Sequence, residues 1–323
     1  SASGANLASL SLGAAGTVTY SGTLTPGGTT YRLGGGGGVL TVSSALTGGN
    51  SLVVAGHGTV VLTGTNDYTG TTTVSSGVLQ FNSTGAIGGG GAGVRDITVA
   101  DGATIAAGYA IDNAFLNRIV ETGDAILVAL AINSANDLDF SSSAGATLPG
   151  ASLAAIGTRT YSGKLTPGGG TFRLGGGGGT LTVSGLLEGD NAMIVNDADG
   201  GRVILSGSAN TFTGDVTVQA GTLQLSNAGA LGGLTRTVEI LDGSSVEVTA
   251  QNASNGVTYN VAAGATLSCP STSHQANVYA GSTINLHGGK LRWGCNTSLT
   301  GDIAVGGDVT VYADSIVNSY TTH

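Results

Sequence analysis

Tyr31-Arg32-Leu33-Gly34-Gly35-Gly36-Gly37-Gly38-Val39-Leu40-Thr41-Val42 decides the fold, because it is written twice. It returns as Phe172-Arg173-Leu174, Gly175 to Gly179 and Thr180-Leu181-Thr182-Val183, an offset of 172 − 31 = 141. Around it, Tyr20-Ser21-Gly22-Thr23-Leu24-Thr25-Pro26 returns at the same offset as Tyr161-Ser162-Gly163-Lys164-Leu165-Thr166-Pro167. Asn66-Asp67-Tyr68-Thr69-Gly70 returns as Asn210-Thr211-Phe212-Thr213-Gly214, where the offset has grown to 210 − 66 = 144. Matches of this kind are internal repeats, not compositional accident.

A shorter unit runs inside each copy. Val74-Ser75-Ser76-Gly77-Val78-Leu79, Val99-Ala100-Asp101-Gly102-Ala103-Thr104-Ile105, Val218-Gln219-Ala220-Gly221-Thr222-Leu223 and Val261-Ala262-Ala263-Gly264-Ala265-Thr266-Leu267 each read as strand, glycine corner, strand. Alternating apolar residues give each strand one buried face. Units spaced by roughly 20 to 25 residues bury no core alone and have to stack. The expected fold is therefore all-β, a right-handed parallel β-helix (β-solenoid), the hand following the rule for parallel crossovers. We expect one elongated solenoid over residues 1–323, with large repeats at about 7–92 and 148–233 and divergent coils over 234–323. Between Tyr109 and Phe140 the unit is interrupted. Ile111, Phe115 and Ile119 fall at helical spacing behind a capping Asp112, and Ala125 to Ile132 is a continuous apolar run that reads as a buried strand.

Composition agrees. The chain has 59 Gly among 323 residues and only 9% charged residues, yet 40% hydrophobic ones, which is too apolar for a disordered glycine linker. With 5% aromatics the core is built from stacked aliphatic side chains. A net charge of −9 with no basic run argues against nucleic acid as a partner. No stretch reaches the ~20 apolar residues of a membrane-spanning helix. Ser1-Ala2-Ser3-Gly4 lacks a charged start and an apolar stretch, so any secretion signal is expected to have been removed or to lie upstream.

The glycine-run segment, followed by Val61-Leu62-Thr63-Gly64-Thr65-Asn66-Asp67-Tyr68-Thr69-Gly70, resembles the autotransporter-associated β-strand repeat of large secreted bacterial proteins. The resemblance covers about Leu7 to Gly233 and fades after Leu234. It implies a β-helical passenger at the cell surface, and it carries no catalytic residues that could be transferred.

Several constellations carry a rival chemistry. Gly56-His57-Gly58 echoes a β-helical polygalacturonase, which also needs clustered aspartates. Here the second copy replaces that turn by a longer one holding Asp197-Ala198-Asp199-Gly200, so a solvated connection is expected. That longer turn lacks the further oxygen ligands of a calcium loop. The glycine runs lead into strands rather than a helix N-terminus, which argues against a phosphate cradle. Cys269, Cys295, His274 and His287 fit the count but not the usual spacing of a zinc site, and His323 and His57 lie elsewhere. Asn66 and Asn210 are expected to face inward and bond the turns of stacked coils.

The expected function is a structural component of a bacterial extracellular surface fibre or filament, adhesive and assembling end to end, with no catalytic activity, cofactor or metal. Ser1 to Leu12 and the terminal Thr310-Val311-Tyr312 and Ile316-Val317 have few blocking charges. The expected partners are copies of the chain head to tail, or further repeats of a longer one, and surface glycans. A carbohydrate-binding module is the alternative and predicts an exposed row formed by Tyr20, Tyr31 and Tyr68; a polysaccharide-degrading enzyme on the same helix is a further one. Cys269 and Cys295, separated by 295 − 269 = 26 residues, are about one coil apart, which predicts a disulfide and an oxidising, extracellular compartment. Asn82, Asn252 and Asn296 head glycosylation sequons.

Overall fold

A computed structural model describes residues 9–90, 95–141, 148–232, 235–250, 256–269, 282–293, 302–306 and 310–313. The chain divides into two compact units, Ser1–Arg159 with Leu165–Gly169, and Thr160–Lys164 with Gly170–His323. Each is a stack of parallel β coils, as the repeats require.

In the first unit, strands that follow the glycine corner form one sheet in chain order: Thr17–Tyr20, Val39–Val42, Thr59–Leu62, Val78–Phe81, Thr104–Ala107, Leu127–Leu130 and Ser152–Ala155. Strands that precede the corner form the other: Thr30–Leu33, Ser51–Val54, Thr72–Val74, Ile97–Val99 and Ile119–Glu121. The second unit repeats the arrangement. Its pre-corner sheet holds Thr171–Leu174, Ala192–Asn196, Val216–Ala220, Arg236–Ile240, Val257–Ala262, Thr283–His287 and Asp302–Gly306. Its post-corner sheet runs through Thr180–Val183, Arg202–Leu205, Thr222–Leu225, Ser245–Val248, Thr266–Cys269, Lys290–Trp293 and Thr310–Ala313. A coil takes as few as 78 − 59 = 19 residues between register partners Thr59 and Val78, and as many as 165 − 138 = 27 between Leu138 and Leu165.

Alternation in the sequence becomes a ladder in the core. Along the first unit Leu40, Val60, Leu79, Ile105, Val128 and Leu153 are successive register partners and all are buried. The second unit stacks Phe172, Met193, Val216, Val238, Tyr259 and Ile284 in the same way. Each such side chain gains about 1.5–3 kcal/mol by leaving water, a gain available only when a neighbouring coil covers it.

The four glycine corners expected from the short units are present: Gly77, Gly102, Gly221 and Gly264 have φ of 72°, 71°, 75° and 78°. That left-handed geometry is nearly free for glycine and strained for other residues. The interruption is also as expected, with one difference. Asp112 caps a single helical turn, Asn113–Leu116, its carboxylate accepting the Phe115 N–H at 2.9 Å. Ile119, placed on that helix by spacing, instead opens the strand Ile119–Glu121, whose register with Ile97–Val99 outweighs one more turn of helix.

The pentaglycine run serves a second need. An added Cβ on Gly36 would lie 2.5 Å from the Ala14 carbonyl oxygen of the preceding coil, whereas on Gly37 it would meet nothing within 4 Å. Both residues have positive φ, 84° and 77°. Gly37→Ala is therefore expected to cost about 1–2 kcal/mol for the left-handed backbone alone. Gly36→Ala adds a backbone clash of about 1–3 kcal/mol. Urea unfolding of the two variants measures the difference; equal losses would show that the coils are not in close contact at Gly36.

Candidate functional site

Several buried polar side chains sit at the turns between strands, Asn66, Asp197 and Asn210 among them. Asn66 bridges three coils: its Oδ1 accepts the Leu46 N–H at 2.8 Å and its Nδ2 donates to the Ala86 carbonyl. Asn210 does the same in the second copy, taking the Leu187 N–H at 3.0 Å and donating to the Ala230 carbonyl at 2.9 Å. Both are buried, so each amide satisfies a backbone donor and a backbone acceptor that water does not reach. The structural role expected for these two asparagines is what the geometry shows.

Beside Asn66, the buried Tyr68 hydroxyl lies 2.6 Å from Thr72 Oγ1. Burial pushes its pKa up to about 12, with the Thr72 hydrogen bond and then Arg118 opposing the shift. Asp96 and Arg118 form a buried ion pair, Arg118 Nε donating to Oδ1 at 2.9 Å and Nη2 to Oδ2 at 2.6 Å. Asp96 also accepts the Gly90 N–H at 2.8 Å, and Arg118 donates to the Gly88 carbonyl. The Asp96 carboxylate thus accepts three hydrogen bonds and ties this turn to Arg118.

The second copy solves the same problem differently. Phe212 replaces Tyr68 and packs edge-on against Phe172 at 5.9 Å between ring centroids. The Arg236 guanidinium lies 4.2 Å from the centre of the Phe212 ring and donates to the Phe212 carbonyl at 2.7 Å and the Gly214 carbonyl at 3.0 Å. Burial pulls its pKa below the ordinary guanidinium value, and nearby Asp215 opposes that shift.

Among the described residues, those singled out for rival chemistries do not converge. His57 sits exposed on its turn, as expected, and its carbonyl accepts the Gly37 N–H at 3.2 Å. Asp197 corrects the expectation of a solvated connection. It is 2% exposed, and its carboxylate accepts the N–H groups of Gly176 at 2.9 Å and Gly178 at 3.1 Å, one coil earlier. Successive positive-φ glycines turn their amides into an anion-binding concavity, and here the chain's own carboxylate fills it. Asp199 remains exposed.

Cys269 is fully buried, while His287 is exposed at the end of a strand in the other sheet. The remaining members of that set, Cys295, His274 and His323, lie outside the described residues. Among the described residues no three His, Cys, Asp or Glu side chains are grouped to hold a metal ion. The tyrosine row expected of a glycan-binding face is also corrected: Tyr31 and Tyr68 are 3% and 0% exposed. Tyr20 turns its hydroxyl onto the Thr23 carbonyl at 2.9 Å. Asn82 is exposed and accepts from Gln80 Nε2 at 2.9 Å; Asn252 and Asn296 lie outside the described residues.

Sequence reading missed the Asp96–Arg118 pair, the seat of Arg236 and the use made of Asp197. No local signal marked them, because each is fixed by partners about one coil away in sequence: Asp96 for Arg118, Gly176 for Asp197 and Phe212 for Arg236.

Residues 52–81 and 197–225 match the passenger-associated-transport repeat. No characterised protein and no solved structure matches the chain. The matched segments carry the equivalent turns just described, with Asn66 and Tyr68 in one and Asn210 and Phe212 in the other. No helix among the described residues is long and apolar enough to cross a membrane. This repeat implies a secreted or cell-surface passenger, and the chain carries it twice on a parallel β-solenoid, as an autotransporter passenger repeat protein does.

Proposed function

We propose that the chain is a non-catalytic structural segment of a bacterial extracellular fibre or filament, joined end to end with copies of itself or further repeats, and adhesive through its outer surface. One observation carries this reading. In both family-matched segments the buried polar side chains, Asn66, Tyr68, Asp197 and Asn210, are bonded within the stack of coils. Side chains used in this way extend a scaffold, and they are not free to bind or transform a substrate. On cells that produce the native polypeptide, brief protease treatment should release peptides of this chain before lysis. Release only after lysis would overturn the surface assignment.

We further propose that Cys269 pairs with Cys295 and that Asn82 is a glycan acceptor. Cys269 has Trp293 as its register partner on the following coil, two positions before Cys295 in the sequence. The loop so closed, about 25 residues, would stabilise the last coils by about 3 kcal/mol. Alkylation of the unfolded, unreduced protein is expected to add no label, and two labels after reduction. Two labels without reductant would contradict the pairing.

A further inference from the structure

The chain holds three Asp-Gly pairs, Asp101-Gly102, Asp199-Gly200 and Asp242-Gly243. Both members of each pair are exposed, and the three glycines share one backbone shape, with φ of 71°, 81° and 75°. Hydrogen bonding tells them apart. The Gly102 N–H donates to the Ala125 carbonyl at 3.0 Å, and the Asp101 carboxylate accepts the Ala125 N–H at 3.0 Å, so both halves of that pair are tied to the next coil. The Gly200 N–H donates to the Asp197 carbonyl at 3.0 Å. Among the described residues, the Gly243 N–H and the Asp242 carboxylate have no hydrogen-bond partner. The coil that follows explains the difference. Glu121 to Leu127 is one residue longer than Val99 to Thr104, its register partners, and Ala125 of that longer corner reaches the Asp101-Gly102 peptide. Val261 to Thr266 is only as long as its partners Ile240 to Ser245, and it sets Gly264 against Asp242. A Cβ added to Gly264 would lie 3.0 Å from Asp242 Cγ and 3.6 Å from the Gly243 nitrogen, so the carboxyl carbon and the next amide face the same point.

We propose that Asp242-Gly243 is a modification site, at which the folded chain rearranges spontaneously to isoaspartate. The Gly243 nitrogen attacks Asp242 Cγ. A C–N bond forms, the carboxyl OH and the amide hydrogen leave together as one water, and a five-membered succinimide closes. Glycine leaves that attack unhindered, since it has no side chain and turns its backbone freely. Water then opens the ring at either carbonyl. Attack at Cγ restores Asp242, whereas attack at the main-chain carbon leaves the backbone running through the former side chain, one methylene longer. That methylene enters the turn which Ser244 closes by donating its N–H to the Leu241 carbonyl at 3.0 Å, so the corner no longer matches in length the one stacked on it. At the other two pairs the attacking amide must first give up a hydrogen bond.

Incubating the full chain folded in neutral buffer, and in parallel unfolded in urea, tests the assignment. An endoproteinase that cuts before Asp but not before isoaspartate leaves modified sites uncut, and electron-transfer fragmentation of the uncut peptides identifies the residue. Each pair is compared with its own rate in urea, which removes the effect of its sequence neighbours. In the folded chain Asp242 is expected to keep most of its urea rate, while Asp101 and Asp199 are slowed at least about fivefold by the hydrogen bond that has to open first. Asn255-Gly256, whose Asn255 lies outside the described residues, reaches the same product by losing ammonia and is told apart by its change in mass. Slowing of Asp242 by as much as the other two would overturn the proposal.

Discussion

Parallel hydrogen bonding between successive coils is the interaction on which everything else here depends. A strand of four residues, such as Val39–Val42, has too little apolar surface to fold by itself, and its inward Leu40 and Val42 are covered only because the coils before and after repeat the same pattern. Register follows from the same constraint. A slip of one residue would turn each inward aliphatic side chain to solvent, so the alternation holds the coils in place as firmly as the hydrogen bonds do.

The turns must meet that register too, and they do so with few means. Where a turn buries its backbone, an asparagine supplies one acceptor and one donor to the coils on either side, as at Asn66 and Asn210. Where glycines turn several amides to one side, Asp197 supplies the counter-charge. The buried cations follow the same economy. Arg118 has a carboxylate partner, while Arg236 is held by carbonyl oxygens and an aromatic face. Two copies of one repeat thus reach similar turns by different electrostatic routes.

Much of this was legible in the sequence, for a physical reason. Repetition exposes equivalent positions, so the glycine corners, the parallel coils and the bridging asparagines could be read by aligning the chain with itself. Asp197 could not, because its partners Gly176 and Gly178 lie a full coil earlier and sequence adjacency shows only a turn. Tyr31 and Tyr68 misled for a related reason. An aromatic beside turn residues looks exposed, yet here it fills the interior behind the turn and its hydroxyl bonds within the fold, Tyr31 to the Thr47 carbonyl and Tyr68 to Thr72. The same burial removes the aromatic row that a glycan-binding reading required.

Turn polar groups, and not only strands, bind coil to coil. Native-state hydrogen exchange tests it most directly at Leu46 and Leu187, whose amides lie outside every strand and donate to Asn66 and Asn210. On this account both amides exchange as slowly as those of the neighbouring strands, because opening them requires separating stacked coils. Exchange at the rate of an open loop would contradict it.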